Sequence, residues 1–417
     1  MEIAASIEDL RVLAQKRVPR MFYDYADSGS WTESTYRANC SDFSRILLRQ
    51  RVAVNLEGRT THTTLVGQPV TMPVAIAPTG LTGMQHANGE ILAANAARKF
   101  GIPFTLSTMS ICSIEDVAAA TGRHPFWFQL YVMRDRGFIK SLIERAKASG
   151  CSALVLTLDL QILGQRHKDL KNGLSAPPKL TLRNIANMMT KPQWCLGMLR
   201  THNRQFGNIV GHVKGVDDMG SLSEWTAKQF DPALSWADVE WIKSCWGGKL
   251  ILKGIQDVED ARRAADSGAD ALIVSNHGGR QLDGAPSSIS ALPDIVDAVG
   301  DRIEVHMDGG IRSGQDVLKA VALGARGTYI GRAHLYGLGA MGEAGVTKVL
   351  EIIQKELDLT MAFCGRIDIK QVGRDILVPG TYPAAGRVAA SCGAQFDFEG
   401  SAIQPFPVTT PAPPPHC

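Results

Sequence analysis

The amino-acid sequence predicts an α/β architecture closed into a (β/α)8 barrel, with an N-terminal helical lead-in and a long insertion after the fourth strand. Three observations carry this expectation. From residue 72 onward, short and wholly apolar segments alternate with helical stretches, the pattern of a parallel sheet covered on both faces. The alternation repeats eight times, which suits a closed barrel better than an open, doubly wound sheet. Nearly every apolar segment ends in a polar, charged or glycine residue, and such barrels carry their reactive groups at those ends.

Taken in order, residues 6–30 read as a short amphipathic helix, then Val18-Pro19, then Tyr23-Asp24-Tyr25 and the turn Ser28-Gly29-Ser30. Residues 46–66 alternate weakly, as an irregular lead-in or a small sheet would. The first barrel strand is Val74–Ala77, followed by a helix over 88–100 that stops at Gly101. Next come the strand Phe104–Ser107 with a helix over 113–120, the strand Trp127–Tyr131 with a helix over 135–149, and the strand Ala153–Asp159. After the insertion, Ser235 and Asp238 form a Ser-x-x-Asp box opening a helix over 236–246. The second half is tighter. Strand Leu250–Gly254 precedes a helix starting near Asp257, and strand Ala271–Ser275 precedes one near 290–299. Strand Glu304–Asp308 precedes a helix over 313–323, and Gly327–Arg332 leads into helical sequence to about 363.

At 417 residues the chain has room for one large domain with insertions or for two ordinary ones. The barrel reading assigns residues 1–380 to a single domain, including a basic and apolar insertion at about 165–234. Residues 381–417 then form an extension whose proline-rich end, 408–417, is expected to be disordered. Lys+Arg 44 against Asp+Glu 41 leaves a net charge of +3, too little to imply a nucleic-acid partner. None of the eight cysteines forms a C-x-x-C pair, which argues against a zinc site or a disulfide scaffold and suits a reducing cytosol. The N-terminus lacks the basic and apolar regions of a signal peptide, and no apolar run is long enough to span a bilayer. The expectation is a cytoplasmic protein, free or resting on the inner face of the cell membrane.

Collected in order, the strand ends are Pro78-Thr79-Gly80, Ser107, Gln129 with Tyr131, Thr157 with Asp159, Lys253, Ser275 with His277 and Arg280, Asp308-Gly309-Gly310-Ile311-Arg312, and Gly331-Arg332. His277 titrates near neutral pH and can take a proton, while Arg280 can grip a carboxylate through two hydrogen bonds. The last two strand ends carry the glycines and arginines of a phosphate site, where barrels of this kind place one. Lys253 can neutralise charge developing on a bound ring, and Ser107, Gln129 and Thr157 offer the neutral donors and acceptors a heterocycle needs. A literal G-x-G-x-x-G at 337–342 does not join a strand to a helix and reads as small residues for helix packing.

With these residues assembled, the stretch Ser275-Asn276-His277-Gly278-Gly279-Arg280-Gln281-Leu282-Asp283 resembles the signature of the FMN-dependent L-2-hydroxy acid dehydrogenase/oxidase family, TIM barrels that include bacterial L-lactate dehydrogenase and (S)-mandelate dehydrogenase. The resemblance spans about residues 5–380. It implies that His277 takes a proton from the substrate, from C2 or from the hydroxyl, and that Asp159 favours its protonated form. It further implies that Arg280, Arg166 and Tyr25 bind the substrate carboxylate and that Tyr131 bonds the substrate hydroxyl. Lys253 would stabilise the reduced flavin, with Ser107, Gln129, Thr157 and Ser275 holding the ring and Pro78, Thr79 and Gly80 lining it. Asp308, Gly310, Arg312, Gly331 and Arg332 would hold ribityl and phosphate. A homo-oligomer is implied as well, a tetramer being common in the family.

Two departures bear on substrate and acceptor. Gln161 stands where many relatives carry proline, and the lactate-like and mandelate-like stretches are mixed, so the acid's side chain stays open. Gly80, where oxidases often have alanine, leans toward a dehydrogenase that passes electrons to quinone or another acceptor. The alternative is an oxidase that uses O2 and makes hydrogen peroxide. Between Asp169 and Asp217 the chain has no Asp or Glu, but it carries Lys and Arg interleaved with Trp, Met and Leu. Residues of about 175–215 therefore read as a patch for an anionic membrane surface. A lid over the flavin and an RNA-binding segment are the other readings.

Overall fold

The computed structural model describes residues 4–174, 181–213 and 229–383. They fall in one compact unit, Met1–Ala384; of the extension, all but residues 381–383 lies outside the described residues, its proline-rich end included. The lead-in is three helices rather than one. Ser6 caps α1 (Ile7–Arg17) in a reciprocal box with Asp9, and Pro19, which has no N–H, separates it from α2 (Arg20–Ala26). The sequence reading assigned no helix where α3 (Ser34–Arg45) lies. Its buried positions are Thr35, Asn39 and Phe43, so two of the three residues on its inner face are polar and leave no apolar periodicity. The weak alternation continues into a hairpin, β1 (Thr63–Leu65) and β2 (Gln68–Val70), turned by Val66 and Gly67 at positive φ.

The eight barrel strands are β3 (Val74–Ile76), β4 (Thr105–Ser107), β5 (Trp127–Tyr131), β6 (Ala153–Thr157), β7 (Lys249–Ile255), β8 (Ala271–Val274), β9 (Glu304–Asp308) and β10 (Gly327–Ile330). All lie within two residues of the expected bounds. Every pairing is parallel, in the order β3-β10-β9-β8-β7-β6-β5-β4. The bridge Ile76↔Phe104 and the bond from the Ile76 N–H to the Pro103 carbonyl (2.9 Å) close the ring. Helices cover the outside, among them α4 (Thr82–Gln85), α5 (Gly89–Phe100), α6 (Ile114–Ala120) and α7 (Arg136–Ala148).

Strand side chains alternate between the barrel interior and the helix layer. The interior holds Ala75, Trp127, Ala153, Val155, Ile251, Ala271, Ile273 and Tyr329, with the hairpin's Leu65, Val66 and Val70 in the same cluster. Small alanines make room for Trp127 and Tyr329, whose rings lie 6.0 Å apart. Buried His306 bonds Tyr329 Oη (3.1 Å) and Glu304 Oε2 (3.0 Å), and that same oxygen accepts the Val66 N–H (2.9 Å), tying the hairpin to the barrel. Followed toward the strands' C-terminal ends, the same alternation passes from Trp127 to Gln129 and Tyr131, from Val155 to Thr157 and Asp159, and from Ile251 to Lys253. The apolar interior thus gives way to a polar rim along the same strands, with an irregularity in β7 just past Lys253.

The insertion after β6 contributes α8 (His167–Lys171), α9 (Leu182–Met189) and α10 (Pro192–Arg200). Neither α9 nor α10 has a buried residue, and Leu182, Met189 and Leu199 are 85%, 76% and 73% exposed. Trp194 anchors α10, donating its indole N–H to the Met84 carbonyl (2.9 Å) and stacking on Phe22 at 5.5 Å. The helix Trp236–Trp246 then starts with the expected Ser235/Asp238 box. The glycines of 337–342 belong to the helix Arg332–Met341 and its end. A side chain at Gly339 would meet Val18 Cγ2 at 2.6 Å, and one at Gly337 would strike the Gly345 carbonyl of the next helix. Their role is close helix packing.

Candidate active site

The loop after β8 sets the site. His277, Gly278 and Gly279 follow one another at φ of 57°, 64° and 73°. Glycine adopts this region freely; histidine does so at a cost that the surrounding bonds must offset. The His277 N–H donates to Ser275 Oγ (3.1 Å), and its Nδ1 meets Asp159 Oδ1 at 2.9 Å. Among the described residues His277 Nε2 has no partner, which leaves that nitrogen for a ligand. Burial pushes the Asp159 carboxyl up, but His277 and Lys253 outweigh it, so the group is held below its ordinary value and stays ionised. Asp159 reaches His277 because Gly254, at φ 104° beside an irregularity in β7, has no side chain; a Cβ there would stand 2.7 Å from that of Asp159.

Beside this pair lies a cationic pocket. The Arg280 guanidinium sits 4.6 Å over the Tyr25 ring and that of Arg166 sits 5.8 Å from it. Arg166 is paired with Asp169 (2.6 Å), whereas Arg280 donates to the Tyr25 (2.5 Å) and Ser28 (3.3 Å) carbonyls. Burial, and then the repulsion of Arg166, hold Arg280 down to about 10, still protonated at neutral pH. An anion between the two guanidiniums would relieve both effects. Tyr131, set edge-on to Phe230 at 5.7 Å, is pushed up by burial and by Tyr25 and Asp159, so its hydroxyl stays a donor.

Across the barrel mouth runs a buried polar chain. Ser107 Oγ donates to Gln129 Oε1 (3.0 Å), and Gln129 Nε2 donates to Thr157 Oγ1 (3.0 Å). Lys253 Nζ donates to Ser275 Oγ (2.8 Å) and pairs with Asp308 (3.0 Å). Burial pulls this lysine down, but Asp308 and Asp159 together outweigh it, and it stays charged. At the end of β3, Thr79 Oγ1 lies 2.6 Å from Thr82 Oγ1, and a side chain on Gly80 would come 3.2 Å from Tyr25 Oη. Pro78 and Thr79 therefore stand on the same rim as Tyr25.

The phosphate-like end is formed by the loops after β9 and β10. Gly309 and Gly310 have φ of 96° and 88°, and a side chain at Gly310 would overlap the Asn39 carbonyl of α3. Half-buried Arg312 donates to the Ile311 carbonyl (2.8 Å) and packs 5.6 Å from the Tyr336 ring. Gly331 caps the helix Arg332–Met341, and nothing lies within 3.9 Å of where its side chain would be. Arg332 has main-chain partners as well. Three of its N–H groups are committed to the carbonyls of Ala26 (2.9 Å), Gly278 (3.0 Å) and Ser28 (2.6 Å), so its guanidinium chiefly ties the Tyr25 loop to the His277 loop.

The donors and acceptors present fit FMN. The chain Ser107-Gln129-Thr157 would suit the neutral edge of its ring, and the charged Lys253 lies on the same rim. Asp308 Oδ1 is buried with no partner among the described residues, an acceptor suited to a ribityl hydroxyl. Gly331, Arg312 and a helix N-terminus suit the phosphate. Sequence reasoning missed Gln281 and Asp283. Gln281 Nε2 donates to the carbonyls of Asp159 (2.7 Å) and Ile162 (2.8 Å), and Asp283 accepts from Thr32, Ser34 and Thr35 at the start of α3. Both lie inside the motif, but their partners are 117 or more residues away, or on a helix the pattern hid.

Comparison with known proteins agrees with this reading. Residues 14–379 match the family described as FMN-dependent dehydrogenase. L-lactate dehydrogenase of Caulobacter vibrioides (strain NA1000 / CB15N) is 46% identical over 385 residues, 92% of this chain and 100% of that protein. L-lactate dehydrogenase of Pseudomonas entomophila (strain L48) is 48% identical over 381 residues, 91% of this chain and 99% of that protein. The crystal structure of the monotopic membrane protein (S)-mandelate dehydrogenase superposes with a TM-score of 0.86 at 36% identity, covering 90% of this chain and 100% of that one. The strand ends, the His277–Asp159 pair and these matches place the chain in the family of FMN-dependent dehydrogenases.

Proposed function

We propose that this protein oxidises an L-2-hydroxy acid, lactate-like or mandelate-like, to the 2-oxo acid and hands the electrons to quinone or another acceptor than oxygen. The observation that carries it is the His277–Asp159 pair, 2.9 Å apart, next to the Arg166–Arg280 pocket on the Tyr25 ring. A substrate carboxylate enters between the guanidiniums, and its hydroxyl accepts or donates at Tyr131 Oη. His277 takes the proton at Nε2, and ionised Asp159 at Nδ1 stabilises the imidazolium that results. FMN, when bound, supplies the two-electron acceptor. Lys253 would hold a positive charge beside its ring, which Ser107, Gln129, Thr157 and Ser275 would orient. Asp308, Gly310, Arg312, Gly331 and Arg332 serve the ribityl and phosphate groups, Arg332 through its two uncommitted N–H groups and its main chain.

The same reading places the protein on an anionic membrane surface through residues of about 175–215, in the cytoplasm and at the inner face of the cell membrane. Support comes from the exposed apolar side chains of α9 and α10 and from the membrane character of the mandelate dehydrogenase relative. Of that stretch, 175–180 and 214–215 lie outside the described residues. No helix among the described residues is long and apolar enough to cross a membrane. A homo-oligomer, the family's tetramer, belongs to the same proposal.

The test is anaerobic: the yellow protein should bleach on mixing with L-lactate or L-mandelate, and a panel of L-2-hydroxy acids would then rank the side chains. Failure of every acid to bleach a flavin-loaded protein would overturn the reading. Peroxide formed in step with substrate, with no quinone or dye reduction, would favour the oxidase instead.

A further inference from the structure

Asp27 belongs to neither the proton-handling pair nor the cationic pocket, yet its one carboxylate touches the supports of both ends of the site. It is 4% exposed and accepts from four side chains. Its two oxygens divide the work. Oδ1 accepts from Tyr36 Oη (2.7 Å) and Tyr336 Oη (2.7 Å); Oδ2 accepts from Tyr23 Oη (2.9 Å) and from Arg11 Nε (3.2 Å) and Nη2 (3.0 Å). The Oδ1 partners are the rings on which the phosphate-end arginines rest: Arg332 lies 4.4 Å over Tyr36 and Arg312 lies 5.6 Å from Tyr336. The Oδ2 partner Tyr23 is on α2, two residues before Tyr25, whose ring carries Arg280 and Arg166. Arg332 then grips the main chain on both sides of Asp27, at Ala26 and Ser28.

We propose that Asp27 is a positioning residue that sets the FMN-phosphate arginines through Oδ1 and the substrate-carboxylate pocket through Oδ2. This rests on the reading that Arg312 serves the phosphate and Tyr25 the substrate. A carboxylate has about four lone-pair sites, enough for these phenols and one guanidinium, whereas an amide offers a single acceptor oxygen and must turn donors toward one side. Losing hydrogen bonds to a charged acceptor lets the tyrosine rings tilt, and the arginines resting on them tilt too.

The experiment measures FMN affinity of the apoprotein by fluorescence quenching and KM of the holoenzyme for an L-2-hydroxy acid that bleaches it. Asp27→Asn is expected to weaken FMN binding and raise KM, each about tenfold. Tyr336→Phe should weaken FMN alone, and Tyr23→Phe should raise KM alone. This split is the readout that a merely structural role would not produce. If Asp27→Asn does not fold, the two phenylalanine variants still decide the matter. A lowered melting temperature with FMN affinity and KM both unmoved would overturn the proposal, as would Tyr336→Phe and Tyr23→Phe each moving both quantities alike. Arg312→Ala separates the two levels. If it leaves FMN affinity intact, the phosphate reading fails and the proposal falls with it; if it weakens FMN while Tyr336→Phe does not, only the Asp27 proposal falls.

Discussion

His277 occupies a backbone conformation that glycine would adopt more cheaply, so its side chain is retained against strain for what the imidazole does. His277→Ala should keep the flavin's absorbance and lose reduction by substrate by about 10²–10⁴-fold, as stopped-flow bleaching would show. Retention of more than a tenth of the wild-type rate would sink the proton-transfer role. Arg280 is the less paired of the two pocket arginines, because Asp169 already bonds Arg166. Arg280→Lys keeps the charge but loses the planar fork, so KM should rise by about tenfold to a hundredfold with a smaller change in kcat. At this scale the sequence was legible where chemistry and motif coincide: His277, Arg280, Asp159 and Lys253 all stand at the rim. It was not legible for Gln281 and Asp27. Gln281 bonds main chain more than a hundred residues away, and Asp27 gathers Tyr23, Tyr36, Arg11 and the distant Tyr336; an isolated amide or acid carries no periodic signal.

Among the elements, the barrel strands were legible because they are short, mostly apolar runs at regular spacing that end in polar groups or glycine. α3 was not, since it turns Thr35 and Asn39 inward to meet the loops after β8 and β9. That contact explains Gly310. Gly310→Ala would set a methyl against the Asn39 carbonyl at a backbone angle unsuited to alanine, with an expected loss of roughly 2–3 kcal/mol. Urea unfolding of the apoprotein checks this, and FMN affinity should fall with it. α9 and α10 present apolar side chains to solvent with little acid nearby. Replacing Leu196 and Leu199 by Asp should abolish co-sedimentation with anionic liposomes at low salt while leaving dye-linked activity in place. Wild-type protein that stays in the supernatant would refute the membrane surface outright.

Across the whole molecule, stability in acid should follow Asp27. Burial opposes its ionised form, but the bonds from Tyr336, Tyr36 and Arg11 win and hold the carboxyl well below the ordinary range. A group depressed in the folded state contributes stability that is present above its unfolded pKa, about 4, and is lost as pH falls below that. The unfolding free energy of wild type should therefore decline below about pH 4 more steeply than that of Asp27→Asn, as denaturant titrations across pH would report. The pattern along the chain was sufficient for the barrel, the order of its strand ends and the chemistry they carry, because short apolar runs, the helical stretches between them and the residues that end each run are local properties. Folding settled what no local pattern encodes: that Arg332 ties two loops together, that a polar helix meets the loops after β8 and β9, and that one carboxylate gathers three phenols and a guanidinium. Those outcomes depend on which distant groups are left needing a hydrogen-bond partner once water is excluded, and that is known only when the chain has closed on itself.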